Sequence, residues 1–375
     1  MKFIYLTSQK YPSKKVDPFF VKSMAESFSK ILRGDFTFVV RGDVPKELEA
    51  INTVAVKAPR RFRVVSYFFY MPFLIFLHKW DHSDFIFFSS DPYLLAIIIF
   101  WRKMFGFRYS VCSDWHQLFD DWRDHYVARN SDYMISTSKR LRDSLASIPG
   151  VTSEKVVVSY GGVDTSIFEE KIKTRDKIGL RKGLALPEDA FLVGYVGGFR
   201  SVGLEKGIDI MIKSLPFLGD NISMVFVGGS KQEINNYRLL AEEEGVQDRC
   251  IFIEKQPFGK VVEYEISMDI LVIPYPNKKH FRDYGFPMKV WEYMASGRPI
   301  VYSDLSIIRE VLGGRGKSFV PDSPASLAES IVSIFENYNL AENTAKQNLC
   351  DTMDYTWEAR SKNIVNFIKQ KIKNE

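Results

Sequence analysis

Both halves of this chain alternate short apolar runs with amphipathic stretches, and this alternation is the feature that most limits the fold. Apolar runs such as Phe85–Phe88 and Ile270–Ile273 have the length of buried strands. Amphipathic helices are predicted between such runs, for example over Phe19–Leu32 and Met288–Ser296. Alternating strands and helices are typical of open, mostly parallel sheets. We therefore predict an α/β protein built from two Rossmann-like domains.

The domain boundaries are predicted from the distribution of apolar runs and charge. A first domain is expected over residues 1–165, a charge-rich linker over 166–190 and a second domain over 191–355. A further helix is predicted over 356–373. Sheets of this kind bind their ligands at the carboxyl ends of the strands. The predicted ligand site is the cleft between the domains, although the architecture by itself does not define a chemistry.

Cysteine usage and the lengths of the apolar runs indicate a cellular compartment. The three cysteines, Cys112, Cys250 and Cys350, form neither a disulfide framework nor a metal-binding knuckle, which favours a reducing environment. The first residues lack the long apolar region of a signal peptide. The longest uncharged apolar run, Val64–Leu77, has 14 residues and is too short to span a bilayer. We expect a cytoplasmic protein.

The net charge of +5 is concentrated in the first half of the chain. Residues 1–166 contain 23 Lys and Arg against 17 Asp and Glu. No recognisable nucleic-acid-binding module accompanies these charges, so no nucleic-acid partner is expected. Arg60, Arg61 and Arg63 precede a dense aromatic run that ends at Phe73, a mixture that suits peripheral contact with an anionic membrane. The alternative is a helix buried against its own sheet.

The segment 284–301 is the most informative for chemistry, because a loop there enters a predicted helix. Exposed N–H groups near Met288–Val290 would form a phosphate site at the start of that helix. Glu292, one turn further on, can accept two hydrogen bonds from a vicinal diol such as ribose. The pattern predicts a site for a nucleotide diphosphate, with an ordinary surface helix as the alternative. The donor-binding residues predicted in this segment are Tyr284, Phe286, Met288, Lys289 and Val290.

A glycine-rich loop follows the predicted strand Leu192–Val196 and contains Gly198, Arg200 and Lys206. Glycines let the backbone approach a ligand closely, and the two cations would stabilise a departing diphosphate without a metal ion. Gly228 and Gly229 follow the next predicted strand in the same way. The spacing does not match the dinucleotide fingerprint, which argues against a dehydrogenase. A tight turn with solvated basic residues is the alternative.

In the first half, Ser113, Asp114 and His116 follow a predicted strand and are assigned to the acceptor side. Asp114 and His116 can bond sugar hydroxyls or transfer a proton. A histidine engaged only in local hydrogen bonding is the alternative for His116. No segment has the spacing of a metal motif, so we predict no metal ligand and no cofactor.

In their order and spacing, several of these segments resemble family 4 of the retaining glycosyltransferases. That family has the GT-B fold, in which two Rossmann-like domains face each other across a cleft and the last helix crosses back to the first domain. The resemblance covers most of the chain. The segments that carry it are Asp132–Leu141, Tyr160–Asp164, Gly197–Gly207, Val227–Gly229, Met268–Pro274, the helix of Glu292, and Tyr355–Glu358.

The resemblance implies transfer of a sugar from a UDP- or GDP-sugar to a hydroxyl of a glycan or a lipid-linked acceptor, in the synthesis of a cell-surface polysaccharide or glycoconjugate. It implies retention of the anomeric configuration and no requirement for metal. It also implies that Lys206 and Arg200 hold the diphosphate, that Glu292 binds the ribose, and that the loop around Gln256 faces the base. The leaving phosphate would help to deprotonate the acceptor.

The chain departs from the family pattern at two functional positions. Tyr284 stands where the family often has the first of two glutamates, and Asp283 lies one residue out of register. Ser113 stands where a sugar-contacting histidine is usual, with His116 as a displaced substitute. Two other functions therefore stay open: a nucleotide-sugar epimerase and a catalytically inactive sugar-nucleotide-binding partner subunit.

Overall fold

Two parallel sheets organise the chain in a computed structural model that describes residues 1–11, 16–44, 46–79, 85–174, 176–201, 203–284 and 288–374. One unit consists of Met1–Tyr160 together with Trp357–Glu375, and the other consists of Gly161–Thr356. This division differs from the predicted boundary at residue 165, because the segment 161–190 lies in the second unit.

Within the described residues, the first unit contains a seven-stranded sheet in the order β3-β2-β1-β4-β5-β6-β7, with all strands parallel. Its strands are β1 (Lys2–Tyr11), β2 (Phe36–Gly42), β3 (Thr53–Val56), β4 (Phe85–Ser89), β5 (Ser110–Trp115), β6 (Tyr133–Ser136) and β7 (Val156–Val158). Its helices are α1 (Val16–Leu32), α2 (Arg63–Lys79), α3 (Pro92–Phe105), α4 (Trp122–Asn130), α5 (Lys139–Ala146) and a terminal helix, Trp357–Asn374.

Aromatic side chains form the core of the first unit. Phe3 on β1 lies with its ring centroid 4.7 Å from that of Phe28 on α1 and 5.4 Å from that of Phe88 on β4. All three are fully buried, so the central strands are held by helix-to-sheet packing. The start of α3 is fixed by the carboxylate of Asp91, which accepts hydrogen bonds from the backbone N–H groups of Tyr93 and Leu94.

The second unit contains, within the described residues, a six-stranded parallel sheet in the order β12-β11-β8-β13-β14-β15, with a small hairpin of β9 and β10. Its strands are β8 (Phe191–Val196), β9 (Arg200–Ser201), β10 (Leu204–Glu205), β11 (Ile222–Gly229), β12 (Cys250–Glu254), β13 (Ile270–Ile273), β14 (Ile300–Ser303) and β15 (Lys317–Phe319). Its helices are α6 (Thr165–Thr174), α7 (Lys177–Gly183), α8 (Ile208–Ser214), α9 (Lys231–Glu243), α10 (Phe258–Ser267), α11 (Met288–Ala295), α12 (Ser306–Leu312), α13 (Pro324–Glu336) and α14 (Tyr338–Asp351). The terminal helix of the first unit is α15 (Trp357–Asn374).

The predicted linker over 166–190 carries helices α6 and α7, whose charges are paired with buried carboxylates. Lys171 on α6 donates to Glu263 over 3.0 Å, and Arg181 on α7 donates to Asp269 over 2.6 Å. Arg181 is itself buried. A charge-rich sequence looks like a solvated linker, but here these ion pairs fix the segment to the second unit.

A helix that spans a bilayer must be both long and apolar, and the helices that the structure describes can be compared with this requirement. None of them combines the length and the apolar composition that a bilayer-spanning helix requires.

Candidate donor and acceptor sites

Loops from the carboxyl ends of three neighbouring strands, β11, β8 and β13, meet in the second unit. Gly228, at the end of β11, has φ +118°, and a Cβ atom there would lie 2.4 Å from the carbonyl oxygen of Gly197, which follows β8. A side chain cannot be accommodated at such a distance, so glycine is needed for the two loops to touch. The backbone is therefore brought to the edge of the sheet at which parallel α/β folds bind ligands.

Gly207 fixes the position of Lys206. It has φ +81°, and a Cβ atom there would lie 1.8 Å from the carbonyl oxygen of Pro274, in the loop after β13. Because the backbone is pressed against that loop, the half-buried Lys206 side chain extends over the ring of Tyr275, with Nζ 5.7 Å from the ring centroid.

Glu292 is held by an ammonium group one turn earlier on α11. Nζ of Lys289 donates to Oε2 of Glu292 over 2.5 Å and to Oε1 of Glu265, on α10, over 3.2 Å. Glu265 is fully buried and Glu292 is 8% exposed. A Cβ atom on Gly197 would lie 2.4 Å from Cε of Lys289, so the lysine side chain reaches the two carboxylates across the face of that glycine.

The electrostatics place Lys206 in the same cluster. Burial and the nearby charge of Lys289 lower the pKa of Lys206 to about 8, although the Glu292 carboxylate opposes the shift. Burial raises the pKa of Glu265. Burial by itself would lower the pKa of Lys289, but the charges of Glu292 and Glu265 outweigh burial and raise it. Burial, and then the charge of Lys206, lower the pKa of His280. Lys206, Lys289 and Glu292, predicted separately, therefore interact with one another.

Arg200 lies outside this charged cluster. It is exposed on the β9–β10 hairpin and donates from Nη2 to Glu205 over 2.7 Å. Its predicted contact with a diphosphate stays a prediction, and it requires Arg200 to exchange this partner for the ligand.

The other predicted donor-side residues surround the same edge of the sheet. Gln256 follows β12, donates to the carbonyl of Glu254 over 3.2 Å and lines a groove of about 650 Å³. Tyr284 ends a π-helical turn, and Nζ of Lys279 lies 5.5 Å from its ring centroid. Among the remaining residues, the carbonyl of Gly198 accepts a hydrogen bond from Tyr195, and Gly229 packs against Phe199. Met288 is half-buried and Val290 is fully buried. Phe286 lies outside the described residues.

The predicted acceptor side lies in the first unit, at the end of β5. Nε2 of His116 lies 3.2 Å from Oδ2 of Asp114, and Nη2 of Arg360, on α15, donates to Oδ1 of Asp114 over 2.6 Å. Burial would raise the pKa of Asp114, but Arg360 and His116 outweigh it and hold the pKa below its ordinary value. Asp114 and His116 line a pocket of about 200 Å³ within this unit.

Ser113 has a different role from Asp114 and His116. Its side chain is fully buried, and its hydroxyl accepts a hydrogen bond from Nε1 of Trp115 over 2.8 Å. This arrangement fixes the tryptophan and leaves the hydroxyl away from the surface. The assignment of Ser113 to acceptor contact stays a prediction that the observed burial does not favour.

Several site residues were missed by sequence reasoning, notably Glu265 and Arg360. Glu265 lies on α10, a helix that was not predicted, and its acidic character gives no sign of burial. Arg360 is separated from Asp114 by 246 residues. Only the folded chain brings either residue to its partner.

The fold places the protein in a known structural class. The structure matches Anabaena Alr3699/HepE in complex with UDP with a TM-score of 0.78 at 15% identity, covering 99% of this chain and 100% of that one. A glycosyltransferase from Rickettsia africae ESF-5 gives a TM-score of 0.78 at 13% identity, over 100% and 99% of the two chains. Sucrose-phosphate synthase from Thermosynechococcus elongatus gives a TM-score of 0.75 at 16% identity, over 100% of both chains. The chain therefore has the GT-B fold.

Sequence comparison matches part of the chain to one family. Residues 176–349 match the family described as glycosyl transferases group 1. An uncharacterized glycosyltransferase of Methanocaldococcus jannaschii, MJ1607, is 24% identical over 63% of this chain and 59% of its own length. A D-inositol 3-phosphate glycosyltransferase of Xylanimonas cellulosilytica is 23% identical over 50% of this chain and 44% of its own length. The O-antigen chain mannosyltransferase RfbU of Salmonella typhimurium is 25% identical over 54% of this chain and 50% of its own length. The match thus spans about half the length of these curated relatives.

Proposed function

We propose that this protein is a glycosyltransferase that moves a sugar from a UDP- or GDP-sugar to a hydroxyl of a glycan or a lipid-linked acceptor. The observation that carries the proposal is the cluster of Lys206, Lys289 and Glu292 beside the Gly197–Gly228 backbone contact. It offers a cation for a diphosphate, a carboxylate for a diol and a backbone surface without side chains. UDP is the ligand of the Anabaena structure of the same fold.

We assign one role to each residue of the cluster. Lys206 would bind the diphosphate, with the backbone N–H groups at the start of α11 as further donors. Glu292 would accept hydrogen bonds from the ribose hydroxyls, and Lys289 would hold the Glu292 carboxylate in place, which makes Lys289 a positioning residue. The loop at Gln256 would face the base.

The reaction we propose retains the anomeric configuration. The bond between the anomeric carbon and the diphosphate oxygen breaks, and the acceptor oxygen bonds to the same face of that carbon. The acceptor proton passes to the departing phosphate oxygen. Lys206 would stabilise the negative charge that develops there, which supports a reaction without metal.

The acceptor is proposed to bind in the first unit, at the pocket lined by Asp114 and His116. A carboxylate that is already bonded to Arg360 can orient the imidazole toward an acceptor hydroxyl. We place the reaction in the cytoplasm, at the inner face of a membrane, in the synthesis of a surface polysaccharide or glycoconjugate. The exposed basic and aromatic surface of the same unit supports this placement.

The proposal is tested with Lys206→Ala and Glu292→Ala. A thermal-shift screen of UDP-glucose, UDP-galactose and GDP-mannose first identifies the donor, because a bound ligand raises the melting temperature. We expect each variant to lose about 2–4 kcal/mol of transition-state stabilisation, a rate fall of roughly 30- to 900-fold. Lys206→Ala removes a charge contact with the diphosphate, and Glu292→Ala removes the acceptor of the ribose hydrogen bonds. The measurement is acceptor-dependent release of nucleoside diphosphate.

Matched controls are the exposed residues Lys317→Ala and Glu243→Ala, which should keep the rate of the unaltered protein. If Lys206→Ala and Glu292→Ala are as active as these controls, the donor site lies elsewhere. NMR of the donor incubated alone separates the alternatives: a new epimer would identify an epimerase. Donor binding without any release of diphosphate would identify an inactive partner subunit.

A further inference from the structure

Helices α2 and α3 expose an unusual number of large apolar side chains. The described part of the chain exposes twenty such side chains, and half of them lie between Phe62 and Phe105. Val65, Phe69, Phe73 and Phe76 share one face of α2, as their helical spacing requires, and Phe69 is 73% exposed. The opposite face of α2 is the one buried against the sheet. One face of α2 is therefore buried, as the alternative of a buried helix predicted, and the other face is an exposed apolar surface.

The exposed side chains of the two helices form one continuous surface, which we call the α2–α3 surface. Phe68 on α2 lies 5.5 Å from Phe100 on α3 between ring centroids, and Nε1 of Trp101 donates to the carbonyl of Phe68 over 3.1 Å. At the other end, Phe107 lies 6.4 Å from Phe76 and 5.8 Å from Phe105. The exposed residues of this surface are Phe62, Val65, Phe69, Phe73, Phe76, Phe100, Met104 and Phe105.

Among the described residues, most charges on and next to α2 and α3 are basic. Neither α2 nor α3 contains an Asp or Glu. Arg60, Arg61 and Arg63 lie at the start of α2, and within the described residues no carboxylate is paired with them. Lys103 and Arg108 are exposed near the end of α3. Arginines that have no carboxylate partner in the described part of the chain and lie beside exposed aromatic rings match the chemistry of a phospholipid headgroup layer.

Arg41 gives an independent indication of an anion at this edge of the first sheet. Its side chain is 8% exposed, and it donates only to carbonyl oxygens, that of Ser8 over 2.7 Å and that of Ala58 over 3.3 Å, among the residues the structure describes. Burial, together with the neighbouring charges of Arg63 and Arg60, lowers the pKa of Arg41 although Tyr67 opposes the shift. A largely buried cation next to two more cations is costly unless an anion is bound nearby.

We propose that the first unit docks on an anionic phospholipid bilayer through the α2–α3 surface, with Arg60, Arg61 and Arg63 on lipid phosphates and the aromatic rings in the interfacial layer. A second copy of the chain is disfavoured as the occupant, because a symmetric contact would bring two unpaired arginine clusters together. The docking goes beyond sugar transfer, since it requires neither donor nor acceptor and can be measured without them.

The test is co-sedimentation of the full chain with vesicles of phosphatidylcholine alone and of phosphatidylcholine with about a third phosphatidylglycerol. We expect binding to the anionic vesicles that weakens as salt is raised, and little binding to the neutral ones. The variant Arg60→Gln/Arg61→Gln/Arg63→Gln should bind roughly 100-fold more weakly, because each arginine near an anionic surface changes affinity about fivefold. Phe69→Ser/Phe73→Ser should also weaken binding markedly, with thermal unfolding used to check that both variants fold.

Matched controls come from exposed positions of the second unit. Phe217→Ser/Leu340→Ser removes two apolar side chains of similar exposure, and Lys182→Gln/Lys317→Gln/Lys346→Gln removes three exposed cations. Both should bind vesicles like the unaltered chain. The proposal is overturned if the surface variants bind as well as these controls or if neutral vesicles bind equally. Displacement by inorganic phosphate at matched ionic strength would instead indicate a soluble phosphate ligand. A dimer in solution that Phe69→Ser/Phe73→Ser dissociates would show that a second copy covers the surface.

Discussion

Lys206 is the residue whose properties depend most on its neighbours. Gly207 presses its backbone against the loop after β13, and burial beside Lys289 makes its ammonium easier to deprotonate than that of a solvated lysine. A diphosphate would add to the negative charge that Glu292 supplies beside Lys206 in the free protein. Binding of the proposed donor and protonation of Lys206 should therefore favour each other.

The pH dependence of nucleotide binding tests this link. The pKa of Lys206 is lowered to about 8, so its positive charge is present below that pH and is lost above it. We expect the affinity for UDP or GDP to fall by up to about tenfold between about pH 7 and about pH 9, as measured by titration calorimetry. Lys206→Gln should bind more weakly at the lower pH and lose this dependence.

The effect of Lys206 on the pH dependence of folding stability has the opposite sign to its effect on nucleotide binding. Between the folded pKa and the higher pKa of an unfolded lysine, the unfolded chain binds more protons, so this group makes folding more favourable as the pH rises through that window. If nucleotide affinity were unchanged across the pH range, Lys206 would not contact the diphosphate.

At the scale of elements, one ammonium group joins two helices of the second unit. Lys289 on α11 bonds Glu265 on α10 and Glu292 on its own helix, and all three side chains are largely shielded from solvent. A buried carboxylate that loses its only cation is left without compensation. Lys289 thus both fixes Glu292 and connects α10 to the edge of the sheet.

Replacing Lys289 with methionine should destabilise the protein by about 3–5 kcal/mol, because buried Glu265 and Glu292 would lose the ammonium group that bonds both of them. Urea unfolding of Lys289→Met, Glu265→Gln and the double variant measures the effect as a cycle. The double variant should recover part of the loss, since a neutral amide replaces the buried acid. Equal stability of the single Lys289→Met and the double variant would exclude the ion pair as the cause.

Elements with continuous apolar runs or regular amphipathic spacing could be predicted from the sequence, whereas a short edge strand and a helix that buries acidic residues could not. The predicted strands of both halves overlap observed strands, but β3 was missed because Thr53–Val56 is short and mostly half-exposed at the sheet edge. Helix α10 was missed because it buries Glu263 and Glu265, which resemble surface residues in sequence. In the candidate site, Lys206, Lys289 and Glu292 were predicted from local patterns, whereas Glu265, the partner of Lys289, depends on packing that no local pattern records.

At the scale of the whole molecule, the first unit depends on a helix that the second unit separates from it. Arg360 on α15 bonds the buried carboxylate of Asp114 and also donates to the carbonyl of Tyr160 over 2.8 Å. Trp357, at the start of α15, lies 5.2 Å from Phe20 of α1 between ring centroids. The last helix is therefore part of the core of the first unit.

Arg360→Met should cost about 3–5 kcal/mol of stability, because Asp114 would remain buried without its cation. The loss should appear in the first unit, where hydrogen exchange followed by mass spectrometry would show faster exchange in β5 than in the unaltered chain. Exchange in β8 and β13 of the second unit should not change. Uniform acceleration across both units would mean that the ion pair does not act locally.

This arrangement has a consequence for how the chain matures on the ribosome. Residues 161–356 emerge as one uninterrupted stretch and can fold as soon as they are made, whereas the first 160 residues wait for Arg360, which is synthesised some 200 positions later. Of the two units, the one whose synthesis begins first is thus the last to be completed. Until α15 has been synthesised, the first unit lacks one of its packed helices and exposes apolar surface. Chaperones bind chains that expose such surfaces.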